Sequence, residues 1–442
     1  MIRAVLRPTL RALLRVFFRR VELTGAGHLP AAGPAVVVAN HPSALIDPIL
    51  LLAWVDRPVS FLAKEPLFRI PVVGAAARAL DAIPVYRAMD GADPRRNAAT
   101  FTAARALLRR GGVLALFPEG TSHDDPRMKP LKSGAARIAL GAASTGEGLP
   151  LSIVPAGLVF TDKGTFRSEV LIAFGPPIEV NPAPLSPEGE PAPAEVRALT
   201  GGIRAGLDAL VLQAESDGAL ALAGAAERLF TEEEAAPLAE RVALRQRLLG
   251  GRSWLAAHDP EALASLEDRL RRHQALREAC GLAGPDPLER LRAAALARAG
   301  LHLLLAPAAL LGALVHWPAW RAVDLLARRS ARGDLSMFAT LKLGYGLLLF
   351  PLTWAAAGLA AGLWRGAAAG WLAALGAALA AAAALAFDEG SEPLRALLHA
   401  AWLRLRGGAA LARVRAERAA LRTELSAAAA RIPAGGDTAA AR

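Results

Sequence analysis

A histidine and a carboxylate six positions apart, His41 and Asp47, stand in the stretch Asn40-His41-Pro42-Ser43-Ala44-Leu45-Ile46-Asp47-Pro48. An imidazole of ordinary pKa, about 6.5, can take a proton at neutral pH, and a carboxylate beside it fixes its tautomer and stabilises the imidazolium. Six residues turn a helix by about 600°, or about 240° net, so a helix would hold the two side chains apart. A loop has to fold them together, and Pro42-Ser43 supplies turn chemistry. Asp47-Pro48 also reads as an N-cap followed by proline at the first helical position, in which case Asp47 only starts a helix. No G-x-S-x-G motif accompanies the pair, and the single cysteine, Cys280, lies in a distant helical stretch. A His41–Asp47 dyad would therefore activate a substrate hydroxyl directly.

Two further clusters follow apolar runs. Ile83-Pro84-Val85-Tyr86-Arg87 ends on a guanidinium, and Phe117-Pro118-Glu119-Gly120-Thr121-Ser122 carries a carboxylate on a turn. Arg127, Lys129, Lys132 and Arg137 come next, with Ser133-Gly134 at an expected helix start. Backbone N–H groups at such a start, together with several cations, suit a phosphate. Of the chain's five lysines, Lys64, Lys129, Lys132 and Lys163 fall in this region. Each cation taken singly also reads as a solvated surface charge.

These residues need a framework. The runs 35–39, 59–63, 82–86, 113–117, 153–158 and 170–174 are short, apolar and bounded by turn residues, as buried strands are. Helical stretches at 48–55, 94–110 and 133–143 lie between them, an alternation that predicts a layered α/β domain over 22–180. In open α/β sheets, sites gather beyond the carboxyl ends of strands, where His41, Arg87 and Glu119 would all emerge. Seven prolines between 176 and 193 read as a linker, opening a linker and helical region over 181–298 with no evident chemistry.

The four ordered segments Asn40-His41…Asp47, 83–87, 117–122 and Ile153-Val154-Pro155-Ala156-Gly157 resemble the motifs of the glycerolipid acyltransferase family, over about residues 22–180. That family includes glycerol-3-phosphate and lysophosphatidic acid acyltransferases. The resemblance implies that His41 deprotonates the acceptor hydroxyl, which attacks the thioester of acyl-CoA or acyl-carrier protein without an acyl-enzyme. It implies that Asp47 orients His41, and that Arg87 binds the acceptor phosphate, with Lys64, Lys129 and Lys132 nearby. Glu119, Gly120 and Thr121 would organise the acceptor pocket, and Pro155 would shape the wall near the acyl chain. No cofactor or metal is expected beyond the thioester co-substrate. Five residues separate His41 from Asp47 where most of the family has four. This spacing, followed by Asp-Pro, is more similar to the fungal-type glycerol-3-phosphate/dihydroxyacetone-phosphate acyltransferases, which also carry C-terminal hydrophobic segments. It tilts the expected acceptor toward a small glycerol phosphate, with lysophosphatidic acid as the alternative.

The rest of the chain points to a lipid surface. Residues 1–20 hold six arginines and no acid, and Arg3, Arg7, Arg11, Arg15 and Arg19 recur every four positions among Leu, Val and Phe. This is the pattern of a helix lying in the headgroup plane, expected over 1–21. An ordinary surface helix packed on its own domain has the same pattern. Stretches 299–320, 343–364 and 366–387 lack charged side chains apart from two histidines and are long enough to span a bilayer. Segments 321–342 and 388–442 each carry a net charge of +3. A two-span hairpin, 343–364 and 366–387, with 299–320 re-entrant or interfacial, keeps every basic segment on one side. The expectation is thus a membrane segment over 299–390 and a basic helical tail over 391–442, with the active site on the cytoplasmic face. Over the full 442 residues the chain is 54% hydrophobic, with net charge +11 and mean hydropathy +0.32. That excludes wholesale disorder, and one cysteine excludes an intrachain disulfide or a cysteine-cluster metal site. A nucleic-acid binder would interleave basic and aromatic residues in a polar domain, and aromatics here are 5%. A catalytically silent membrane scaffold with the same fold is opposed by the presence of all of His41, Asp47, Arg87 and Glu119.

Overall fold

The apolar runs become neighbouring strands of one sheet in the computed structural model, which describes residues 2–87, 90–145, 150–231, 236–282, 300 and 302–432. The strands are β1 (Arg20–Thr24), β2 (Ala35–Ala39), β3 (Val59–Lys64), β4 (Ile83–Val85), β5 (Val113–Leu116), β6 (Leu151–Phe160), β7 (Glu169–Phe174) and β8 (Ile178–Val180). Their order is β1-β7-β6-β2-β5-β3-β4, with β8 on β6. From β6 across to β4 every pairing is parallel, whereas β7 and β8 run antiparallel to β6. Central β2 is buried along its whole length, which explains why its sequence is continuously apolar rather than alternating.

Six helices accompany the sheet: α1 (Ile2–Phe17), α2 (Ile46–Trp54), α3 (Pro71–Ala79), α4 (Asn97–Arg109), α5 (Gly134–Thr145) and α6 (Pro193–Asp208). Ala104 and Leu108 of α4, Ala136, Ile138 and Ala139 of α5 and Ile203 and Leu207 of α6 join Val36, Leu114 and Ile153 in one core. The layered α/β class expected from sequence is the observed one. Strands β1 and β8 and helix α3 were not among the expected elements; the alternation of β1 and the proline that opens α3 are strand and helix signals all the same, whereas β8 is three residues long among prolines.

The chain divides into two units, Met1–Gln213 with Gly333–Thr340, and Ala214–Arg332 with Leu341–Arg442. The proline-rich stretch is therefore part of the first unit and no free linker. Leu185 and Pro191 form a bridge, Glu190 accepts from Arg137 at 2.7 Å, and α6 buries Val196, Ile203 and Leu207 in the core. Nor is α1 a free amphipathic helix. Leu14, Phe17 and Phe18 are buried, each such side chain contributing about 1.5–3 kcal/mol. Arg7 reaches Asp56 at 2.6 Å and Arg11 the Ala53 carbonyl at 2.6 Å. Helix α1 is thereby seated on its own unit, while Val5 and Val16 stay exposed.

The second unit is helical: α7 (Asp217–Thr231), α8 (Leu238–His258), α9 (Pro260–Ala279), α10 (Ala306–Ala331), α11 (Leu335–Arg365), α12 (Ala367–Gly390) and α13 (Glu392–Ala430), α11 entering it at Leu341. Glu227 is fully buried and held by Arg241, Arg245 and Thr231. Helices α11 and α12 are each long and apolar enough to cross a membrane. They meet at small residues: a Cβ on Gly358 would lie 3.0 Å from the Gly370 carbonyl. Gly366, at φ 92°, makes the one-residue turn between them. The expected segment 299–320 begins partly outside the described residues; from Ala306 it is α10, which runs on through Pro318 to Ala331. The expected basic loop 321–342 is thus mostly helix. The side chains of Arg404 and Arg406, expected on a basic tail, lie outside the described residues.

Candidate active site

Strand β2 ends at Ala39, and the Asn40 side chain carries its pairing one step further. Asn40 Nδ2 donates to the Leu158 carbonyl at 3.0 Å, and Leu158 N–H donates to Asn40 Oδ1 at 2.7 Å. His41 then leaves the sheet, and its Nδ1 lies 2.8 Å from Asp47 Oδ2. Ser43 N–H donates to the same carboxylate oxygen at 2.7 Å. A carboxylate only accepts, so Nδ1 carries the hydrogen and Nε2, on the opposite edge of the ring, is the basic nitrogen. The ring stacks on Phe117 with centroids 4.0 Å apart. Asp47 is fully buried, while 17% of the His41 side chain is accessible. Burial pushes the Asp47 carboxyl up, against the lowering effect of His41 and the Ser43 N–H. Asp47 is not the N-cap: α2 starts one residue earlier, Leu45 precedes it without a side-chain cap, and the carboxylate turns back to His41 and Ser43 instead.

Glu119 emerges beyond β5, the strand beside β2, and is 3% exposed. Its Oε1 accepts the His41 N–H at 2.9 Å, and its Oε2 accepts the Lys129 N–H at 2.8 Å and pairs with His123 Nε2. Burial alone would raise this carboxyl, but His123 and the two N–H groups hold it below the usual carboxylate range. Glu119 therefore clamps the loops at the ends of β2 and β5 together. His123 also donates its N–H to the His41 carbonyl at 3.2 Å. Sequence reasoning missed His123; its position four residues after Glu119 on a turn follows no periodic pattern.

The cations gather on the other side of the same turn. Arg87, just past β4, binds Asp90 through Nε at 2.6 Å and Nη2 at 2.8 Å, and donates from Nη1 to the Gly120 carbonyl at 2.6 Å. Arg87 chiefly, with Lys64 and Lys132 at longer range, lowers the Asp90 carboxyl. Lys132 lies over Gly120, where a Cβ would come 2.5 Å from its Nζ, and Gly120 has φ +74°. No residue with a side chain fits that turn without displacing the lysine. Asp90 belongs to no motif and was not foreseen.

Other expected site residues fall elsewhere. Lys129 brings its backbone N–H to Glu119, while its Nζ faces Asp125 at 3.4 Å. The Thr121 hydroxyl bonds locally to the Ser122 carbonyl at 3.3 Å. Arg137 is drawn away to Glu190 and over the Phe101 ring. Pro155 is buried mid-strand opposite Val38, and its ring packs where a Cβ on Gly206 of α6 would be 2.6 Å away. It supports α6 and is not gathered with His41. Among the described residues, no group of His, Cys, Asp and Glu could hold a metal. The arrangement is thus a ring nitrogen set up to accept a proton, beside cations suited to a phosphate.

A model of the Acyltransferase family matches residues 20–159. An uncharacterized acyltransferase of Schizosaccharomyces pombe is 25% identical over 39% of this chain and 38% of its own length. The chloroplastic 1-acyl-sn-glycerol-3-phosphate acyltransferase LPAT1 of Arabidopsis thaliana is 33% identical, over 33% of this chain and 38% of its own. Glycerol-3-phosphate O-acyltransferase 1 of Saccharomyces cerevisiae is 22% identical over 60% of this chain and 46% of its own. The chain spans less than half the length of each of these curated relatives. Over residues 20–159 the chain is thus similar to the acyltransferase family, and the proteins it resembles over part of their length include glycerolipid acyltransferases.

Proposed function

We propose that this protein is a membrane-bound O-acyltransferase that moves a fatty acyl group from acyl-CoA or acyl-carrier protein to a hydroxyl of glycerol-3-phosphate or dihydroxyacetone phosphate. The observation that carries the reading is the 2.8 Å contact of His41 Nδ1 with buried Asp47, at a strand end that Glu119 clamps through the His41 N–H. His41 Nε2 takes the acceptor hydroxyl proton as the oxygen attacks the thioester carbonyl carbon. The tetrahedral intermediate then collapses, the C–S bond breaks, and the departing thiolate takes the proton from the His41 imidazolium. Asp47 keeps the tautomer that leaves Nε2 basic. Arg87, Lys132 and Lys64 receive the phosphate, which competes with Asp90 for Arg87. The two apolar helices α11 and α12 support attachment to the bilayer that holds the product, with the site facing the cytoplasm.

Two observations favour a small phosphorylated acceptor: the five-residue spacing between His41 and Asp47, and the longer coverage by the yeast glycerol-3-phosphate enzyme. The higher identity to a plant lysophosphatidic acid enzyme supports that acceptor as the second reading. The test offers purified full-length protein labelled acyl-CoA with glycerol-3-phosphate, dihydroxyacetone phosphate and lysophosphatidic acid in parallel. Acylation of the first or second is expected; acylation of lysophosphatidic acid alone selects the second reading. His41→Ala is expected to lower turnover by about 10²–10⁴-fold, with circular dichroism and vesicle binding unchanged. Retained turnover would refute the general-base role.

A further inference from the structure

The loop from His41 to Asp47 must reverse direction within five residues, and it does so through Ala44, at φ 38°. A non-glycine residue in this left-handed region costs about 1–3 kcal/mol and persists only where its surroundings over-determine it. The backbone donors show what does so. His41 N–H goes to Glu119, Ser43 N–H to Asp47, and Ile46 N–H to the Ser43 carbonyl. Leu45 N–H finds its partner 295 positions away, donating to Thr340 Oγ1 at 3.1 Å.

Thr340 lies in the segment Gly333–Thr340, which belongs to the same unit as the sheet. The segment is well seated there. Ser336 is fully buried, Ala339 is 1% exposed, and the Phe338 ring lies 3.3 Å from where a Gly164 Cβ would be. Asp334 Oδ1 accepts both the N–H and the hydroxyl of Ser336, at 2.9 and 2.6 Å. The Ser336 hydroxyl in turn bonds that of Ser122 at 3.2 Å, on the turn that carries Glu119 and Gly120. One segment thus touches both loops of the candidate site, one through each hydroxyl.

We propose that Thr340, aided by Ser336, is a positioning residue for acyl transfer: its hydroxyl fixes the His41–Asp47 loop in the geometry that aims His41 Nε2 at the acceptor. This rests on the acyl-transfer reading above. Leu45 N–H finds its acceptor outside the loop, and Thr340 supplies it. Gly333–Thr340 is thereby part of the candidate site, far outside residues 20–159.

Thr340→Val keeps the shape and removes the acceptor, whereas Thr340→Ser keeps the acceptor. Full-length protein in vesicles is examined by hydrogen exchange of the peptide spanning 42–47 and by steady-state kinetics. In Thr340→Val, the Leu45 amide is expected to exchange about tenfold faster, as loss of one hydrogen bond implies. Its kcat should fall by about as much, with KM for donor and acceptor unchanged; Thr340→Ser should restore both. Wild-type exchange in Thr340→Val would overturn the proposal. So would faster exchange with unchanged kcat, or a Thr340→Ser variant as impaired as Thr340→Val. A wild-type chain inactive on every acceptor would remove the acyl-transfer reading instead, and the exchange measurement would still decide whether Thr340 holds the loop.

Discussion

Asp47 illustrates how a residue can serve chemistry at the expense of stability. It is fully buried, its Oδ1 has no hydrogen-bond partner among the described residues, and burial raises its carboxyl above the ordinary value. A carboxyl raised on folding binds its proton more readily in the folded state. Its contribution to stability is full below the unfolded value of about 3.9 and is lost as pH rises through the higher folded value. Asp47→Asn removes that dependence. The melting temperature of the variant is expected to equal or exceed wild type at pH 7, with the difference shrinking as pH falls toward 4. Turnover is expected to drop by about 10²–10⁴-fold because nothing then stabilises the imidazolium. A marked loss of stability at pH 7 in thermal melts would contradict this account. Glu119 behaves in the opposite sense: lowered and fully hydrogen bonded, it stabilises the fold above the ordinary carboxylate range and ceases to do so as pH falls through its depressed value.

Among the elements, the parallel strands do most to assemble the site. β2, β5, β3 and β4 are successive parallel neighbours, so the residues at or beyond their carboxyl ends, His41, Glu119, Lys64 and Arg87, share one end of the sheet. Helix α6 falls in the helical region expected after the prolines, but its place in the core of the first unit carried no local signal. Its seat depends on Gly206, against the Pro155 ring. Gly206→Val would force the helix off that ring, and a loss of about 1–3 kcal/mol is expected from such overpacking. Chemical denaturation should show it, with the m-value unchanged; wild-type stability would mean that α6 does not depend on this contact.

For the whole molecule, the opening averages of charge and hydropathy resolve into separate parts. Apolar surface concentrates on α11 and α12, where Leu348, Leu359, Leu363, Trp364, Trp371 and Leu372 are all exposed. Polar residues and hydrogen-bonded carboxylates concentrate at the carboxyl ends of the strands. If α11 and α12 cross the bilayer as a hairpin, a tag at Arg442 is digested from the same side of oriented vesicles as the first unit. Protection of that tag from protease on this side, with digestion from the other, would replace the hairpin by an odd number of spans.

The sequence alone determined the α/β class, six of the strands, the pair His41–Asp47, and the strand-end placement of Arg87 and Glu119. These features are local: an apolar run, a turn residue and a motif are each read within a few positions. Only the tertiary structure decided what those residues touch. Asp90 on Arg87, His123 on Glu119 and Thr340 on Leu45 are contacts that no window of periodicity reports, since loops carry no repeat. It also decided that Pro155 and Arg137 support packing and ion pairing elsewhere, that α1 docks on its own unit, and that the proline-rich stretch is part of the first unit. Composition states which side chains are available for burial or pairing, whereas the folded chain determines which partner each one finds.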